Sequence, residues 1–246
     1  MTSAVWPWPR VLAHRCGGAL APENTLAGLD AAVRLGCRGV EFDVMLAADH
    51  VPVLIHDETL ERTTNGRGRV ADTPWDALRR LDAGGWFDER FAGEPLPSLQ
   101  DAAARCIELG LAVNLEIKPA AGFEAETGQV AARVAVACWR DAALPPLLSS
   151  FSESALLAAA GEAPRLPRGL LVEQVPEDWR ARCQRVGAVA LHANHAALDA
   201  GIVADVRAAG LWLACYTVND PARAAELFAW GVDCVITDHP DRVGVR

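Results

Sequence analysis

The sequence lacks a long hydrophobic segment and a recognisable leader. No apolar run reaches the roughly 18 residues that a transmembrane helix needs, and the opening "MTSAVWPWPR" has no charged region followed by an apolar core. We therefore expect neither a membrane span nor a signal peptide. The 7 cysteines form no CxxC pair and lie mostly in apolar segments. This pattern favours reduced, buried thiols in a cytoplasmic protein.

Positive charge is also scarce. The chain has 23 Lys and Arg residues against 32 Asp and Glu residues, which gives a net charge of -9. This balance argues against a nucleic acid or an anionic membrane as the partner. We expect a small-molecule substrate, no nucleic acid and no membrane insertion; the oligomeric state stays open, with a homo-oligomer as one option. A phosphate substrate would need a local cation or a basic pocket, because the overall field repels it.

Short apolar runs recur along the whole chain, and segments with helical periodicity lie between most of them. The runs cover residues 10–14, 39–44, 112–118, 146–151, 168–173, 188–194, 211–218 and 233–238. The helical spacings join Leu26, Leu29 and Val33; Val130, Val134 and Cys138; Trp179, Cys183 and Val186; Leu198, Ile202 and Val206; and Ala224, Leu227 and Phe228. Near-continuous apolar runs suit parallel strands covered on both faces. Eight such units predict a single α/β domain over residues 1–246, a (β/α)8 TIM barrel.

Two segments do not fit this repeat. The run at residues 51–57, "VPVLIHD", follows the second strand too closely for a helix to intervene, so we predict that it forms a β-hairpin with that strand. The residues from about 57 to 100 are polar and rich in Gly, Arg and Thr. They are too long for an ordinary loop and predict a small insertion within the barrel.

Acidic residues interrupt two of the predicted strands. Glu41 and Asp43 share one face of the second strand, and Glu116 and Lys118 repeat this spacing in "NLEIKP". Both pairs lie near the C-terminal ends of predicted barrel strands, where barrel active sites are built. Three converging carboxylates are a suitable oxygen-ligand set for Mg²⁺ or Ca²⁺. For either acid alone, a structural ion pair with an internal Lys or Arg is the alternative.

The hairpin predicts a position for His56. If its turn centres on residues 49 and 50, the numbers of paired residues sum to about 99, and His56 lies opposite Asp43. The second hairpin strand would then place an imidazole beside the predicted metal. The alternative is a surface histidine at the end of the hairpin.

His14 and Arg15 end the first predicted strand and precede two glycines. This arrangement suits a phosphate site, because Arg offers a bidentate fork and His transfers protons near neutral pH. A histidine satisfied by neighbouring carbonyl groups is the alternative. His192 and His195, in "LHANH", are more typical of polar residues at the start of a loop.

Several motifs together resemble a known family. "AHRCGGALAPENT", "VEFDVMLAADHVPVLIHDETLERTTNG", "PLPSLQDA", "LEIKP", "LLSSF", "YTVND" and "GVDCVITDHP" are similar to those of the glycerophosphodiester phosphodiesterases, closest to the cytoplasmic bacterial branch, from about residue 10 to residue 240. The resemblance implies a (β/α)8 barrel with a small insertion after the histidine hairpin. It also implies metal-dependent hydrolysis of glycerophosphodiesters, such as glycerophosphocholine or glycerophosphoethanolamine, to sn-glycerol 3-phosphate and an alcohol.

The resemblance also assigns roles to individual residues. It implies a divalent metal, Mg²⁺ or Ca²⁺, held by Glu41, Asp43 and Glu116; an acid–base pair of His14 and His56; and phosphate binding by Arg15 and Lys118. Asn219, Thr237 and Asp238 lie in family motifs and are assigned supporting roles. Which histidine is the acid, and whether water or the glycerol 2-hydroxyl is the nucleophile, both stay open.

The chain departs from the family pattern at two positions. Cys16 stands where most relatives have Gly, so we expect Gly17 and Gly18 to take up any backbone turn that needs a positive φ. Tyr216 stands where many relatives carry Trp, which would alter one wall of the pocket. Neither change affects a predicted ligand or acid–base residue.

Two other functions compete with this interpretation. One is a related barrel phosphodiesterase that acts on lipid phosphodiesters, which the lack of a basic membrane-binding patch disfavours. The other is a non-catalytic protein that binds polyol phosphates, which the complete set of predicted site residues disfavours.

Overall fold

A computed structural model describes residues 5–244, and this range contains nine β-strands and nine α-helices. The strands are β1 Val11–Ala13, β2 Gly39–Leu46, β3 Pro52–Leu54, β4 Ala112–Ile117, β5 Leu147–Ser150, β6 Arg168–Val172, β7 Ala190–Asn194, β8 Trp212–Tyr216 and β9 Cys234–Thr237. The helices are α1 Leu26–Arg34, α2 Trp75–Leu78, α3 Leu99–Leu109, α4 Glu124–Cys138, α5 Glu153–Glu162, α6 Trp179–Val186, α7 Ala200–Ala208, α8 Pro221–Trp230 and α9 Pro240–Val243.

Eight of the strands close into a parallel barrel. They follow one another in the order β1, β2, β4, β5, β6, β7, β8 and β9, and β9 pairs again with β1. Seven of the eight apolar runs contain a whole barrel strand, and β2 extends two residues beyond the run at 39–44, because parallel strands covered on both sides are apolar on both faces. The predicted (β/α)8 TIM barrel is confirmed.

Two of the barrel helices were not predicted. Helix α3 follows a capping box in which Ser98 and Asp101 each accept a hydrogen bond from the other's backbone N–H, and it ends at left-handed Gly110. The sequence carries that signal, but the polar segment before it obscured the start of the helix. Helix α5 is rich in alanine and leucine on all sides, so it has little periodicity. Helix α7 begins at Ala200, after the apolar position at Leu198.

The hairpin forms as predicted, but its register differs by one residue. Strands β2 and β3 pair Val44 with Leu54, Met45 with Val53 and Leu46 with Pro52, so paired numbers sum to 98. Asp43 therefore lies opposite Ile55, whose N–H donates to the Asp43 carbonyl oxygen at 3.2 Å. The predicted pairing of Asp43 with His56 is wrong. Beyond Ile55 the backbone bends over residues 56–58, which turns His56 toward the mouth of the barrel.

The turn explains this register. The His50 N–H donates to the Ala47 carbonyl oxygen at 2.9 Å, and His50 has a φ of 61°. A tight turn followed by a left-handed residue is a three-residue hairpin loop with a bulge, which shifts the pairing by one. Glycine usually takes this position. His50 takes it here and lies 2.9 Å from Glu126 of helix α4.

Residues 55–98 connect β3 to α3 and cover one side of the barrel mouth. They contain the short helix α2 and 3-10 turns at Val70–Asp72 and Glu89–Phe91. An apolar cluster joins this segment to the hairpin: Met45, Ala47, Val53, Ile55, Leu60, Val70, Leu78, Ala83, Leu96 and Ala120. In the described residues, no helix combines the length and the apolar character needed to cross a bilayer.

Candidate active site

One cavity of about 330 Å³ opens at the C-terminal ends of the barrel strands. All seven residues that the sequence nominates line it: His14, Arg15, Glu41, Asp43, His56, Glu116 and Lys118. The remaining lining is mainly apolar or uncharged: Asn114, Phe151, Leu171, Tyr216, Thr217 and Ile236. The lining therefore combines charged groups with aromatic and aliphatic ones.

Three carboxylates meet in this cavity. Strands β2 and β4 run side by side and place Asp43 directly beside Glu116, with Glu41 one pleat lower on β2. One oxygen from each lies within 4.8 Å of the others, and the three side chains are buried. Oxygen atoms at this separation could bind a divalent cation.

The electrostatics of the cluster would suit a cation bound between the three acids. Burial, and after it the charge of Asp43, raise the pKa values of Glu41 and Glu116 above the ordinary 4.5. Burial acts on Asp43 in the same direction, but Lys118, His56 and Arg15 outweigh it and lower the pKa of Asp43. The Oε1 atom of Glu41 is buried without a hydrogen-bond partner. A cation between these oxygens would satisfy that atom and stabilise the ionised acids.

Lys118 is the only lysine among the 23 basic residues. Its Nζ lies 3.2 Å from Glu116 Oε1 and 3.6 Å from Asp43 Oδ1. The compact ammonium of Lys fits between two carboxylates, where the planar guanidinium of Arg would demand more space. The lysine partly neutralises the acid cluster on the side that faces the cavity.

Asn24 supports Asp43 and was not predicted. Its side-chain amide donates to Asp43 Oδ2 at 2.9 Å, and its Oδ1 accepts the Asp43 backbone N–H at 3.1 Å. Asn24 has a φ of 56°, a left-handed conformation that asparagine tolerates better than most residues. The quoted "APENT" motif contains this residue, but only the fold reveals that it faces β2.

His14 leaves strand β1 and contacts a carboxylate from the far end of the chain. Its Nδ1 lies 2.6 Å from Asp238 Oδ1, and its Nε2 lies 3.9 Å from Glu41 Oε2. Burial lowers the pKa of His14, but the hydrogen bond to Asp238 and the charge of Glu41 outweigh burial and raise it. Asn219 holds Asp238 in place with two hydrogen bonds of 2.8 Å. The Asn219 side-chain amide donates to Asp238 Oδ2, and Asn219 Oδ1 accepts from the Asp238 backbone N–H.

His56 has an equivalent partner next to it in sequence. Its Nδ1 lies 2.7 Å from Asp57 Oδ1. Burial lowers the pKa of His56, and together with the charges of Lys118 and Arg15 it outweighs the opposing effects of the Asp43 charge and the Asp57 hydrogen bond. Both histidines thus direct Nδ1 to an aspartate, which leaves Nε2 as the nitrogen available for chemistry.

Arg15 lies between these groups in a left-handed backbone conformation, with a φ of 49°. Its Nη1 donates to Glu23 Oε1 at 2.9 Å, and its Nε lies 3.7 Å from Asp43 Oδ2. Its backbone N–H donates to Glu41 Oε2 at 2.9 Å. In the tight turn after β1, the Arg15 backbone therefore binds the acid cluster, and the Arg15 side chain lines the cavity.

Cys16 itself adopts a positive φ of 76°, and Gly18 follows with a φ of 60°. Gly18 takes up part of the turn as expected, but Gly17 does not, and Arg15 and Cys16 adopt positive φ themselves. The Cys16 side chain is fully buried in the apolar core between the barrel and its helices. Packing against Gly28 of α1 compensates for a backbone shape that costs a residue with a Cβ about 1 kcal/mol or more.

The remaining strand-end histidines lie elsewhere. His192 is buried inside the barrel with no hydrogen-bond partner on either ring nitrogen, and burial lowers its pKa to about 4. Neither His192 nor His195 lines the cavity. The expectation of polar residues at the start of a loop fits His195, which opens a 3-10 turn, but it is wrong for His192, which lies within strand β7.

Known proteins with similar sequences indicate one enzyme family. A family model described as the glycerophosphoryl diester phosphodiesterase family matches residues 14–242. The chain belongs to this family. A glycerophosphodiester phosphodiesterase of Caldanaerobacter subterraneus is 34% identical over 232 residues, which cover 94% of each chain. The family assignment makes the protein a phosphoric diester hydrolase, and it confirms the resemblance seen in the motifs.

Solved structures of the family share the fold. A phosphodiesterase from Oleispira antarctica, solved in complex with the product sn-glycerol 3-phosphate, is 37% identical with a TM-score of 0.90, and the match covers 96% of this chain and 95% of that one. A glycerophosphodiester phosphodiesterase from Agrobacterium tumefaciens is 31% identical with a TM-score of 0.78, over 96% and 98% of the two chains. The family's barrel is therefore the barrel of this chain.

Proposed function

We propose that the protein hydrolyses water-soluble glycerophosphodiesters to sn-glycerol 3-phosphate and a free alcohol, with His14 and His56 as the acid–base pair. The observation that carries the proposal is the placement of both imidazoles in one cavity with the acid cluster, each bound through Nδ1 to an aspartate. That contact orients each ring and presents Nε2 to a substrate in the cavity. Hydrolysis of a phosphodiester uses such a pair, because one group accepts a proton from the nucleophile and the other donates a proton to the leaving alkoxide.

Arg15 and Lys118 are the proposed phosphate ligands. Both reach the cavity, and the Arg15 Nε is buried without a hydrogen-bond partner. They would share the charge that develops on the non-bridging oxygens in the transition state. Since the chain carries a net charge of -9, this local pair of cations supplies the attraction that the overall field lacks.

Glu41, Asp43 and Glu116 would hold the divalent metal, Mg²⁺ or Ca²⁺. When bound, the cation would neutralise part of the charge of the diester and polarise a phosphoryl oxygen. The unpartnered Oε1 of Glu41 and the raised pKa values of Glu41 and Glu116 support this assignment.

We also propose that the chain is one catalytic domain, with residues 57–100 as an insertion within it. The apolar cluster that this segment shares with the β2–β3 hairpin supports the proposal, because the segment packs on the barrel rather than around a core of its own.

Removal of metal tests the proposed function. We expect purified protein to release sn-glycerol 3-phosphate from glycerophosphocholine in an enzyme-linked assay, to lose that activity in EDTA, and to regain it with Mg²⁺ or Ca²⁺. Thermal unfolding should respond in parallel, with the metal raising the melting temperature. Intact phospholipid serves as the competing substrate. Full activity in EDTA, or faster release from phospholipid, would contradict the proposal.

The mouth of the cavity suggests a preference for cationic alcohols. Phe151 and Tyr216 meet edge to face with ring centroids 5.9 Å apart, and Phe151 is 43% exposed. Glu173 Oε2 lies 3.4 Å from the Tyr216 hydroxyl, and Glu173 Oε1 accepts a hydrogen bond from the Asn194 side-chain amide at 2.6 Å. Among residues 5–244, no basic side chain forms an ion pair with Glu173. Aromatic faces beside a carboxylate attract choline and ethanolamine groups.

Glu173→Gln should therefore raise KM for glycerophosphocholine by roughly threefold to tenfold. KM for a diester whose alcohol is glycerol should stay unchanged, because that head group carries no charge. Glu177→Gln, an exposed neighbour on the same connection, is the matched control. Equal changes in KM for both substrates would reject a charge-selective mouth.

A further inference from the structure

Arg62 lies outside the cavity, in the segment between β3 and α3, and its guanidinium contacts two carboxylates. Its Nη1 and Nη2 donate to Glu23 Oε2 and Oε1, each at 2.8 Å. Its Nη2 also donates to Asp57 Oδ1 at 3.0 Å, and its Nε donates to Asp57 Oδ2. Two fork-like contacts from one guanidinium fix both carboxylates in position and orientation.

Each of these carboxylates holds one of the proposed functional groups. Glu23 Oε1 accepts from Arg15 Nη1 at 2.9 Å, and Asp57 Oδ1 lies 2.7 Å from His56 Nδ1. A continuous chain of charge-assisted hydrogen bonds therefore runs from Arg15 through Glu23, Arg62 and Asp57 to His56. Its two ends are a proposed phosphate ligand and a proposed proton-transfer group.

We propose that Arg62 is a positioning residue that sets the orientation of both Arg15 and His56. This inference rests on the proposed function for the roles of those two residues. The hydrogen bonds that support the inference do not depend on those roles.

The charges explain why a cation is needed at this point. Glu23 is only 14% exposed in its side chain and is shared by Arg15 and Arg62. Without Arg62, Glu23 would interact with Arg15 alone and would compete with the substrate phosphate for its guanidinium. Asp57 would lose the two bonds that hold it against His56. The first loss weakens phosphate binding, and the second misplaces the imidazole, so KM and kcat should both change.

His14 provides an internal comparison. Its aspartate, Asp238, is held by the neutral amide of Asn219 and has no contact with Arg62. Loss of Arg62 should therefore affect the His56 side of the cavity and leave the His14 side unchanged.

The test compares Arg62→Gln with Arg69→Gln. Arg69 lies in the same segment, is equally exposed at 45% against 44%, and forms one ion pair with Glu58 at 3.2 Å. We expect Arg62→Gln to lower kcat/KM at least about tenfold, through a higher KM and a lower kcat. Arg69→Gln should stay within about twofold of the wild type. Millimolar guanidinium should partly restore activity to Arg62→Ala, because the vacated position is open to solvent.

A second measurement does not depend on catalysis. Nitrogen-15 NMR of histidine-labelled protein reports which ring nitrogen of each neutral histidine carries the proton. In the wild type, His56 should be protonated on Nδ1; in Arg62→Gln this tautomer should lose its dominance, whereas the His14 signal should not change. If Arg62→Gln matches Arg69→Gln in kinetics and leaves the His56 tautomer unchanged, the inference is wrong. If the wild type hydrolyses no glycerophosphodiester but the His56 tautomer still responds, the proposed function fails and the positioning role stands.

Discussion

Glu41→Gln is expected to abolish metal-dependent activity while making the metal-free protein harder to unfold. The two effects have one cause. The Glu41 carboxylate would bind the cation, and without a bound cation it is a buried charge with too few polar partners to offset its burial. Activity with saturating Mg²⁺ or Ca²⁺ should fall at least about 100-fold, because a weakened metal site forfeits several kcal/mol of transition-state stabilisation. The free energy of unfolding in EDTA should rise by about 1–3 kcal/mol.

The pH dependence gives the sign of this effect. The folded-state pKa values of Glu41 and Glu116 lie above the ordinary 4.5, mainly because of burial. Between the unfolded and folded pKa values, the folded protein binds more protons than the unfolded chain, so the stability of the metal-free protein should decrease as pH rises above about 4.5. A bound metal should flatten this decrease, and Glu41→Gln should reduce its slope.

Chemical unfolding in EDTA and in excess metal, at several pH values, measures these effects. Glu89→Gln removes an exposed carboxylate and serves as the control, with no expected change in activity or stability. A metal-free Glu41→Gln protein that unfolds more easily than the wild type would show that the Glu41 carboxylate is a net stabilising group, and the electrostatic account of the cluster would be wrong.

Replacement of either His14 or His56 by Ala should lower kcat by about 10²–10⁴-fold, the usual contribution of a positioned acid or base. Metal binding should persist, because no histidine belongs to the acid cluster. The double variant should be little worse than either single one if the two rings act in the same step. His195→Ala, in the 3-10 turn that follows strand β7 and outside the cavity, provides the matched control.

The measurements are kcat with saturating glycerophosphocholine and metal affinity by calorimetry. A His56→Ala protein with wild-type kcat would remove His56 from the proton-transfer pair. Loss of metal affinity in His14→Ala, with kcat restored at high metal concentration, would instead assign His14 a role in holding the cation.

Much of the architecture could be predicted because parallel barrel strands are apolar on both faces and appear as apolar runs in the sequence. An acidic residue within such a run is easy to recognise as a candidate site residue. Glu41, Asp43 and Glu116 stood out for this reason, and the alternation of side chains placed them on a common face. The fold brings all seven nominated residues to the lining of one cavity. Their roles in catalysis stay predictions.

The hairpin register could not be obtained in the same way. Register depends on the turn conformation, and a histidine in the left-handed position gives no sequence signal of the kind that glycine or asparagine gives. His56 reaches the cavity all the same because the chain bends after Ile55. His56 was therefore nominated on a pairing that does not occur, although it lines the cavity.

The partners of the histidines were hidden for a different reason. His14 and Asp238 are separated by 224 positions, and only closure of the barrel between β1 and β9 brings them together. Asp57 is adjacent to His56, but its role becomes visible only with Arg62 and Glu23 in place. Such contacts depend on tertiary structure, which local patterns do not encode.

The solitary lysine has a consequence for labelling the protein. Reagents that acylate amines will find, apart from the α-amino group of the chain, one reactive position, and it lies inside the cavity. Burial lowers the pKa of Lys118, but the neighbouring carboxylates outweigh burial and raise it, so the protonated amine should react slowly until the solution is strongly alkaline. Dyes or surface supports attached through lysine would modify the cavity lining beside the proposed phosphate ligands. Six of the seven thiols are buried and Cys138 is only partly exposed, so conjugation at a distance from the cavity calls for an engineered surface cysteine.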